Sequence, residues 1–251
     1  MTKLNLFDSA GHKNVLLEDA THEGAVQANQ HLIVHNGKGM LLDPGGHRAY
    51  NQVMADVSSE LPLKDLEVLF LSHQDPDIVA AINGWLMTTD ATAYASKLWK
   101  RFIPHFGMDH LVEHRLLEIP DQGMRLSLNG CELLFLPAHF LHSCGNFQVY
   151  DPVSKILYTG DLGASLGNQE RVVTDLAGHI PLMESFHQRY MAGNAVMRAW
   201  ANMVSTLDIE CIAPQHGAVM QGKAVVQQFI DWCRHLACGI DLVEGVMRVP
   251  Q

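Results

Sequence analysis

The sequence predicts an α/β protein in which two sheets pack face to face with helices outside them. Three observations predict it. Strands followed by helices occur twice along the chain. The run 66–71 is apolar almost throughout, as expected of a strand covered on both faces. The 251 residues supply ample core, and no stretch rich in Pro, Gly or Ser divides them, so one domain over residues 1–251 is expected.

Residues 31–34 and 39–43 read as a hairpin across Asn36-Gly37, a dipeptide suited to the positive φ of a tight turn. Pro44-Gly45-Gly46 breaks the chain, and apolar spacing over 50–61 predicts an amphipathic helix. After the strand 66–71, residues 78–87 read as a helix whose N-terminus faces the preceding loop. A further helix is expected over 95–106. Strands follow at 115–119, 124–128, 131–136, 146–150 and 155–158. The tail changes character, with long helices over 182–205 and 224–243 separated by a strand at 209–213.

A net charge of −10, with Lys and Arg scattered, argues against a nucleic-acid-binding surface. No apolar run reaches the roughly 18 residues that span a bilayer, and the first residues lack the pattern of a signal peptide. Five cysteines without CxxC spacing argue against a disulfide framework or a zinc ribbon. A reduced, cytoplasmic setting is expected.

Six residues in four segments form a candidate two-metal site. His73, Asp75 and Asp77 lie at i, i+2 and i+4, a spacing that shares no helical face. An extended loop would point all three the same way, and Pro76 biases Asp75 toward extended geometry. His142, Asp161 and His216 each follow an apolar, strand-like run. Loops at strand ends are where a rigid scaffold carries its chemistry. His139 competes with His142 for one place. Taken singly, Asp77 reads equally well as a helix cap and Asp161 as a turn residue. Imidazole and carboxylate together can hold first-row metals, and six such ligands suffice for two metals sharing one carboxylate.

On these residues the chain resembles the metallo-β-lactamase superfamily, and within it the flavodiiron proteins and the oxygen-binding di-iron proteins that lack a flavodoxin domain. The wider superfamily usually carries HxHxDH where this chain has His73-Gln74-Asp75-Pro76-Asp77-Ile78, whereas flavodiiron proteins have a carboxylate second. The segment from His142 to Tyr150, the 19-residue step from His142 to Asp161, and His187-Gln188-Arg189-Tyr190-Met191 carry the closer likeness. The resemblance implies a four-layer αββα sandwich. It places one iron on His73, Asp75 and His142, the other on Asp77 and His216, and Asp161 between them. Ile78 stands where the wider family often has a histidine, which leaves the second metal more open. Three carboxylates with three imidazoles favour iron or manganese over the zinc of histidine-rich sites. Zinc or manganese remain possible substitutes.

The function so implied is O2 binding for sensing, or reduction of O2 or NO with an external flavoprotein or rubredoxin-like electron donor. Head-to-tail homodimers are common among such relatives. Two other classes compete: a binuclear metallohydrolase of esters, thioesters or phosphodiesters, and a signalling protein whose partner reads the oxidation state. His139 and Tyr190 are candidate pocket residues, with a structural histidine and an ordinary helix residue as their alternatives. Cys144 is expected to be a small buried hydrophobe. Met183, Met191, Met197 and Met203 are expected to pack.

Overall fold

The computed structural model describes residues 3–17, 26–167, 170–244 and 246–249. Four strands open the chain: β1 (Leu4–Ser9), β2 (His12–Leu16), β3 (His31–His35) and β4 (Lys38–Leu42). Helix α1 (Tyr50–Glu60) then leads to β5 (Leu66–Phe70), α2 (Pro76–Val79), α3 (Ile82–Thr88), β6 (Thr92–Ser96) and β7 (Leu116–Ile119). These strands form one sheet in the order β1-β2-β3-β4-β5-β6-β7, antiparallel up to β4 and parallel beyond it.

The second sheet begins with β8 (Met124–Leu128), β9 (Cys131–Pro137), β10 (Phe147–Asp151), β11 (Ile156–Gly160) and the short β12 (Val172–Val173). Helices α4 (Leu176–Tyr190) and α5 (Asn194–Val204) follow, then β13 (Cys211–Pro214), β14 (Val219–Gln221) and α6 (Lys223–His235). The sheet order is β12-β14-β13-β11-β10-β9-β8.

Side-chain alternation sorts the core into three sheets of contact. In β3, β4 and β5, Leu32, Leu41 and Leu69 face Val53, Val57 and Trp85 of α1 and α3. Their neighbours Ile33, Met40, Val68 and Phe70 face the other way, against Phe135, Phe147 and Val149 of the second sheet. The far side of that sheet, Leu157 and Ile212, meets Met183, Met197, Trp200 and Phe229 of the second helical layer. A strand with a core on each face has no polar side to show, which is why 66–71 reads as a continuous apolar run. The layers are helix, sheet, sheet, helix.

Several boundaries differ from expectation. Residues 95–106 are not a helix. Ala95 and Ser96 end β6, paired in parallel with β7, and only a 3-10 turn at Ile103–Phe106 follows before Gly107 at φ 84°. The alanines of this strand, Ala93 and Ala95, pack into the core on the helical side of the sheet. The helix expected over 78–87 starts earlier, at Pro76, and is broken after Val79. The stretch 182–205 is two helices, because Met191 is extended and Gly193 lies between them. The last helix stops at His235. The β1–β2 hairpin and the short β12 and β14 were not anticipated. Met183, Met191 and Met197 are fully buried, as packing residues should be. Cys144 is exposed, the reverse of the expectation.

Candidate metal centre

The proposed residues converge at one end of the sandwich, where β5, β11 and β13 terminate. His73 and Asp75 lie on the loop after β5. Pro76 at the first helical position stops that loop, so Asp77 lies in the first turn of α2 rather than in the extended segment. Asp75 occupies the N-cap position but makes no side-chain cap hydrogen bond. Its carboxylate turns instead to the imidazoles, with Oδ2 3.5 Å from both His73 Nε2 and His142 Nε2.

Asp161 follows β11 and is nearly buried. Its two oxygens face different partners. Oδ2 lies 3.7 Å from His73 Nε2 and 2.9 Å from His142 Nε2. Oδ1 lies 3.5 Å from His216 Nε2, which is itself 3.6 Å from Asp77 Oδ2. Ligand atoms of His73, Asp75, His142 and Asp161 all fall within 4.8 Å of one another. The structure thus brings all six residues together in two groups that share Asp161. His139 is outside both: its Nε2 meets the Asp121 carbonyl at 2.8 Å and its ring packs edge-on against Phe147. Tyr190 lies over the site, its ring 5.5 Å from that of His142 and stacked on Phe186.

The donor atoms fit a metal pair. Nε2 of His73, Nε2 of His142 and Oδ1 of Asp161 are buried without a hydrogen bond. Buried polar atoms are rarely left so, unless something else is meant to satisfy them. The His142–Asp161 approach is an ion-pair distance without hydrogen-bond alignment. Burial favours a neutral Asp161, but His73, His142 and His216 overcome it and hold its carboxyl far below the usual range. Asp75 is lowered in the same way by His142 and His73 against its own burial. The imidazoles answer in kind. Burial disfavours their charge, yet Asp161 and Asp75 raise His142 to about 10, and Asp161 raises His216 to about 9. In the metal-free chain protonated histidines thus supply the positive charge that the carboxylates demand.

Other residues orient the donors. Ser72 Oγ meets His73 Nδ1 at 3.0 Å, and Gln27 carbonyl oxygen accepts from His216 Nδ1, so both rings present Nε2 to the site. Gln215 Nε2 donates to Asp77 Oδ2 at 3.1 Å. Trp99 Nε1 and Gln74 meet Ser143 Oγ at 3.0 and 2.6 Å, joining the His73 and His142 loops. His187 donates Nδ1–H to the Met183 carbonyl and accepts from Gly163 N–H at 2.9 Å, fixing the turn after Asp161. Burial lowers His187 to about 4, so it stays neutral. Gly217, at φ 80°, follows His216 where a Cβ would lie 1.9 Å from Ser165 Oγ. Asp43, buried and raised to about 6 by desolvation, accepts from Ser72 N–H at 2.8 Å. Sequence reasoning overlooked Asp43, Gln27 and Gln215. Only Asp43 left a signal, as an acid closing an apolar strand.

A cavity of about 570 Å³ opens onto Asp75, Asp77, Asp161 and His216, with Phe186 and Tyr190 on its wall. That arrangement can hold two cations around one carboxylate and admit a small ligand from the Asp77 side.

Comparison with known proteins gives the fold and the family. The family model of the ODP family beta lactamase matches residues 26–217. A structure described as the peroxy diiron species of chemotaxis sensor ODP superposes with a TM-score of 0.89 at 40% identity, over 98% of this chain and 100% of that one. The apo state of chemotaxis sensor ODP from T. denticola gives 0.87 at 39% identity, over 98% and 99%. A mutant flavo di-iron protein from Thermotoga maritima shares the fold, with a TM-score of 0.77 at 18% identity over 92% of this chain and 60% of that one. The anaerobic nitric oxide reductase flavorubredoxin of Salmonella arizonae is 21% identical over 213 residues, which are 80% of this chain and 43% of that protein. An uncharacterised protein of Methanocaldococcus jannaschii is 21% identical over 205 residues, 80% of this chain and 51% of that protein. The chain spans about half the length of the curated relatives it matches. This metallo-β-lactamase-type sandwich belongs to the ODP family beta lactamases.

Proposed function

We propose that this chain is a non-haem di-iron protein that binds O2, in the manner of an oxygen sensor. One observation carries the reading: the two oxygens of the nearly buried Asp161 face two separate sets of donors. His73, Asp75 and His142 would hold one iron, Asp77 and His216 the other, with Asp161 between them. Two ferrous ions there would supply a binding place for a diatomic ligand and two electrons. The chain's own residues do the rest. Asp75, Asp77 and Asp161 balance cationic charge. Ser72 orients the His73 ring, the Gln27 carbonyl fixes the tautomer of His216, and Tyr190 with Phe186 covers the His142 side of the cavity.

Ile78 is fully buried in the first-half core and contributes no donor. The second metal therefore keeps more of its surroundings open than the histidine-rich hydrolase pattern does, which favours a gas ligand over a hydrolytic pair. Zinc or manganese would take the same donors under other loading. Sustained reduction of O2 or NO would need an external flavoprotein or rubredoxin-like donor. The reading includes a homodimer in the cytoplasm, built of one domain. Among the described residues no helix is long and apolar enough to cross a membrane.

The test is anaerobic purification with metal analysis, then optical spectra before and after O2. The expected outcome is about two irons per chain and a new charge-transfer band on oxygenation. Efficient ester or phosphodiester hydrolysis with no spectral response to O2 would overturn the reading.

A further inference from the structure

The opposite end of the sandwich carries a second group of metal-ligating side chains. His12 begins β2, His35 ends β3, and Cys131 begins β9. Ligand atoms of these three lie within 4.8 Å of one another. His12 and Cys131 are buried, and His35 is partly exposed. The group is remote from the di-iron centre. His31, at the other end of β3, reaches the Pro214 carbonyl beside His216, and the four steps from His31 to His35 at ~3.3 Å each separate the two ends by about 13 Å.

The ring nitrogens are aimed as ligands are. His12 Nδ1 and His35 Nδ1 face each other at 3.0 Å. Two imidazoles bound tetrahedrally to zinc, at about 2.0–2.1 Å each, would hold their nitrogens about 3.3 Å apart. His12 Nε2 points away, donating to Asp151 Oδ2 at 2.7 Å. A carboxylate behind the distal nitrogen is the usual support of a metal-bound histidine. Asp151 is fully buried and firmly held. It accepts from Asn14 Nδ2 at 2.8 Å, Ser154 Oγ at 2.7 Å and Val153 N–H at 3.0 Å.

We propose that His12, His35 and Cys131 form a second, mononuclear metal site for zinc or a similar divalent cation, with Asp151 orienting His12 and a fourth position left to solvent on the His35 side. Thiolate with imidazole is a softer set than the carboxylate-rich centre at the other end, and it selects zinc over iron. The Cys131 thiolate and the Asp151 carboxylate together neutralise a divalent charge, as a buried site requires. The ligands come from both sheets, β2 and β3 on one side and β9 on the other, so a bound cation clips the sandwich at its far end.

The metal-free state is self-consistent. Asn36 Nδ2 donates to His35 Nε2 at 2.9 Å, His35 Nδ1–H donates to His12 Nδ1, and His12 donates to Asp151. Burial and then Asp151 raise the Cys131 thiol to about 11, so without a metal it stays protonated and inert. Metal binding releases one proton, from that thiol. The His35 proton moves from Nδ1 to Nε2, and the Asn36 amide turns to accept it.

The experiment titrates Co2+ into the iron-loaded protein and follows the near-ultraviolet thiolate-to-cobalt charge-transfer band, with Zn2+ as competitor. The expected result is one equivalent bound with that band, which Zn2+ removes. Cys131→Ser and His35→Ala abolish the band, while Cys144→Ser leaves it. Asp151→Asn weakens binding by about 10- to 100-fold. Absence of the band, its survival in Cys131→Ser or His35→Ala, or its loss in Cys144→Ser overturns the proposal. His35 is partly exposed at a strand end, so His35→Ala carries the test should Cys131→Ser not fold.

Discussion

The two sides of the metal centre are built differently. On one side, His73 and His142 have side chains only 1% and 14% exposed, and Asp75, 35% exposed, completes three donors around Asp161 Oδ2. On the other, Asp77 is 38% exposed, and only His216 joins it at Asp161 Oδ1. The first side is framed by loops that hydrogen-bond to each other through Ser143, Gln74 and Trp99. Both reach the cavity, the first through Asp75 alone and the second through Asp77 and His216. A helix start at Pro76 explains much of the difference, because it lifts Asp77 out of the loop and sends Ile78 into the core. The contrast teaches that where the helix begins decides which donors the second half can offer.

Removing Asp161 should abolish the contrast by emptying both sides. Asp161→Ala is expected to reduce bound metal from about two to near zero with the fold kept, as read by metal analysis and far-ultraviolet circular dichroism. Metal content unchanged in this variant and in His73→Ala would falsify the whole constellation. His216→Ala should sharpen the contrast. It is expected to lose about one metal and keep the three-donor side, whereas His73→Ala disrupts both sides, because the shared carboxylate loses its better-held partner.

The layers were legible in the sequence because alternation and continuous apolar runs follow directly from which faces are buried. The candidate donors stood out because their segments follow apolar strands, with Asp161 directly after β11 and the others on the loops or helix start beyond β5, β9 and β13. What stayed hidden depended on tertiary pairing. Ala95 and Ser96 look helical alone, and only the neighbouring strands of a parallel sheet make them extended. Of the groups that aim the donors, Gln27 and Gln215 act on residues far away in the chain and leave no local pattern, while Asp43 shows only as an acid after an apolar strand. Cys144 was misread because its neighbours Ser143 and Gly145 are buried while its own side chain points outward.

Between pH 4 and 6.5 the metal-free chain should lose stability as acid is added. Burial lowers His31 and His187 to about 4, so the unfolded chain, with histidine near 6.5, takes up protons first. Asp43, raised to about 6, pushes the other way as one group against two. His142 and His216 are raised, so their contribution is full below 6.5 and is lost only as pH rises toward 9 and 10. Asp75 and Asp161 are lowered and act only below about 4. The net loss across the window is about 3 kcal/mol, a difference of one proton over some two pH units. Urea midpoints at pH 7 and 5 measure it, and His187→Gln should flatten the slope. A slope of opposite sign would show that Asp43 dominates.

The orienting group on the open side should matter less than any ligand. Gln215→Leu removes the donor to Asp77 and is expected to weaken the second metal by about tenfold, leaving the first unchanged. Competition with a chelator measures both. Equal weakening of the two metals would mean that the sides are coupled through Asp161 more tightly than their geometry indicates.

The smallest effect belongs to Tyr190, and it decides what covers the site. Tyr190 is 53% exposed, and its contacts to the centre run through its ring, on His142 and Phe186. If the ring is what counts, Tyr190→Phe preserves those contacts and changes the O2-dependent spectrum and its rate of appearance by no more than about twofold, well under 1 kcal/mol. Tyr190→Ala removes the cover from the three-donor side, exposes His142 to water and should speed loss of the first metal to a chelator. The two variants therefore separate a proton or hydrogen bond from a hydrophobic lid. A large spectral or rate change in Tyr190→Phe, with metal content intact, would place the hydroxyl in the ligand's path and make the closed side of the centre a participant in gas binding rather than its anchor.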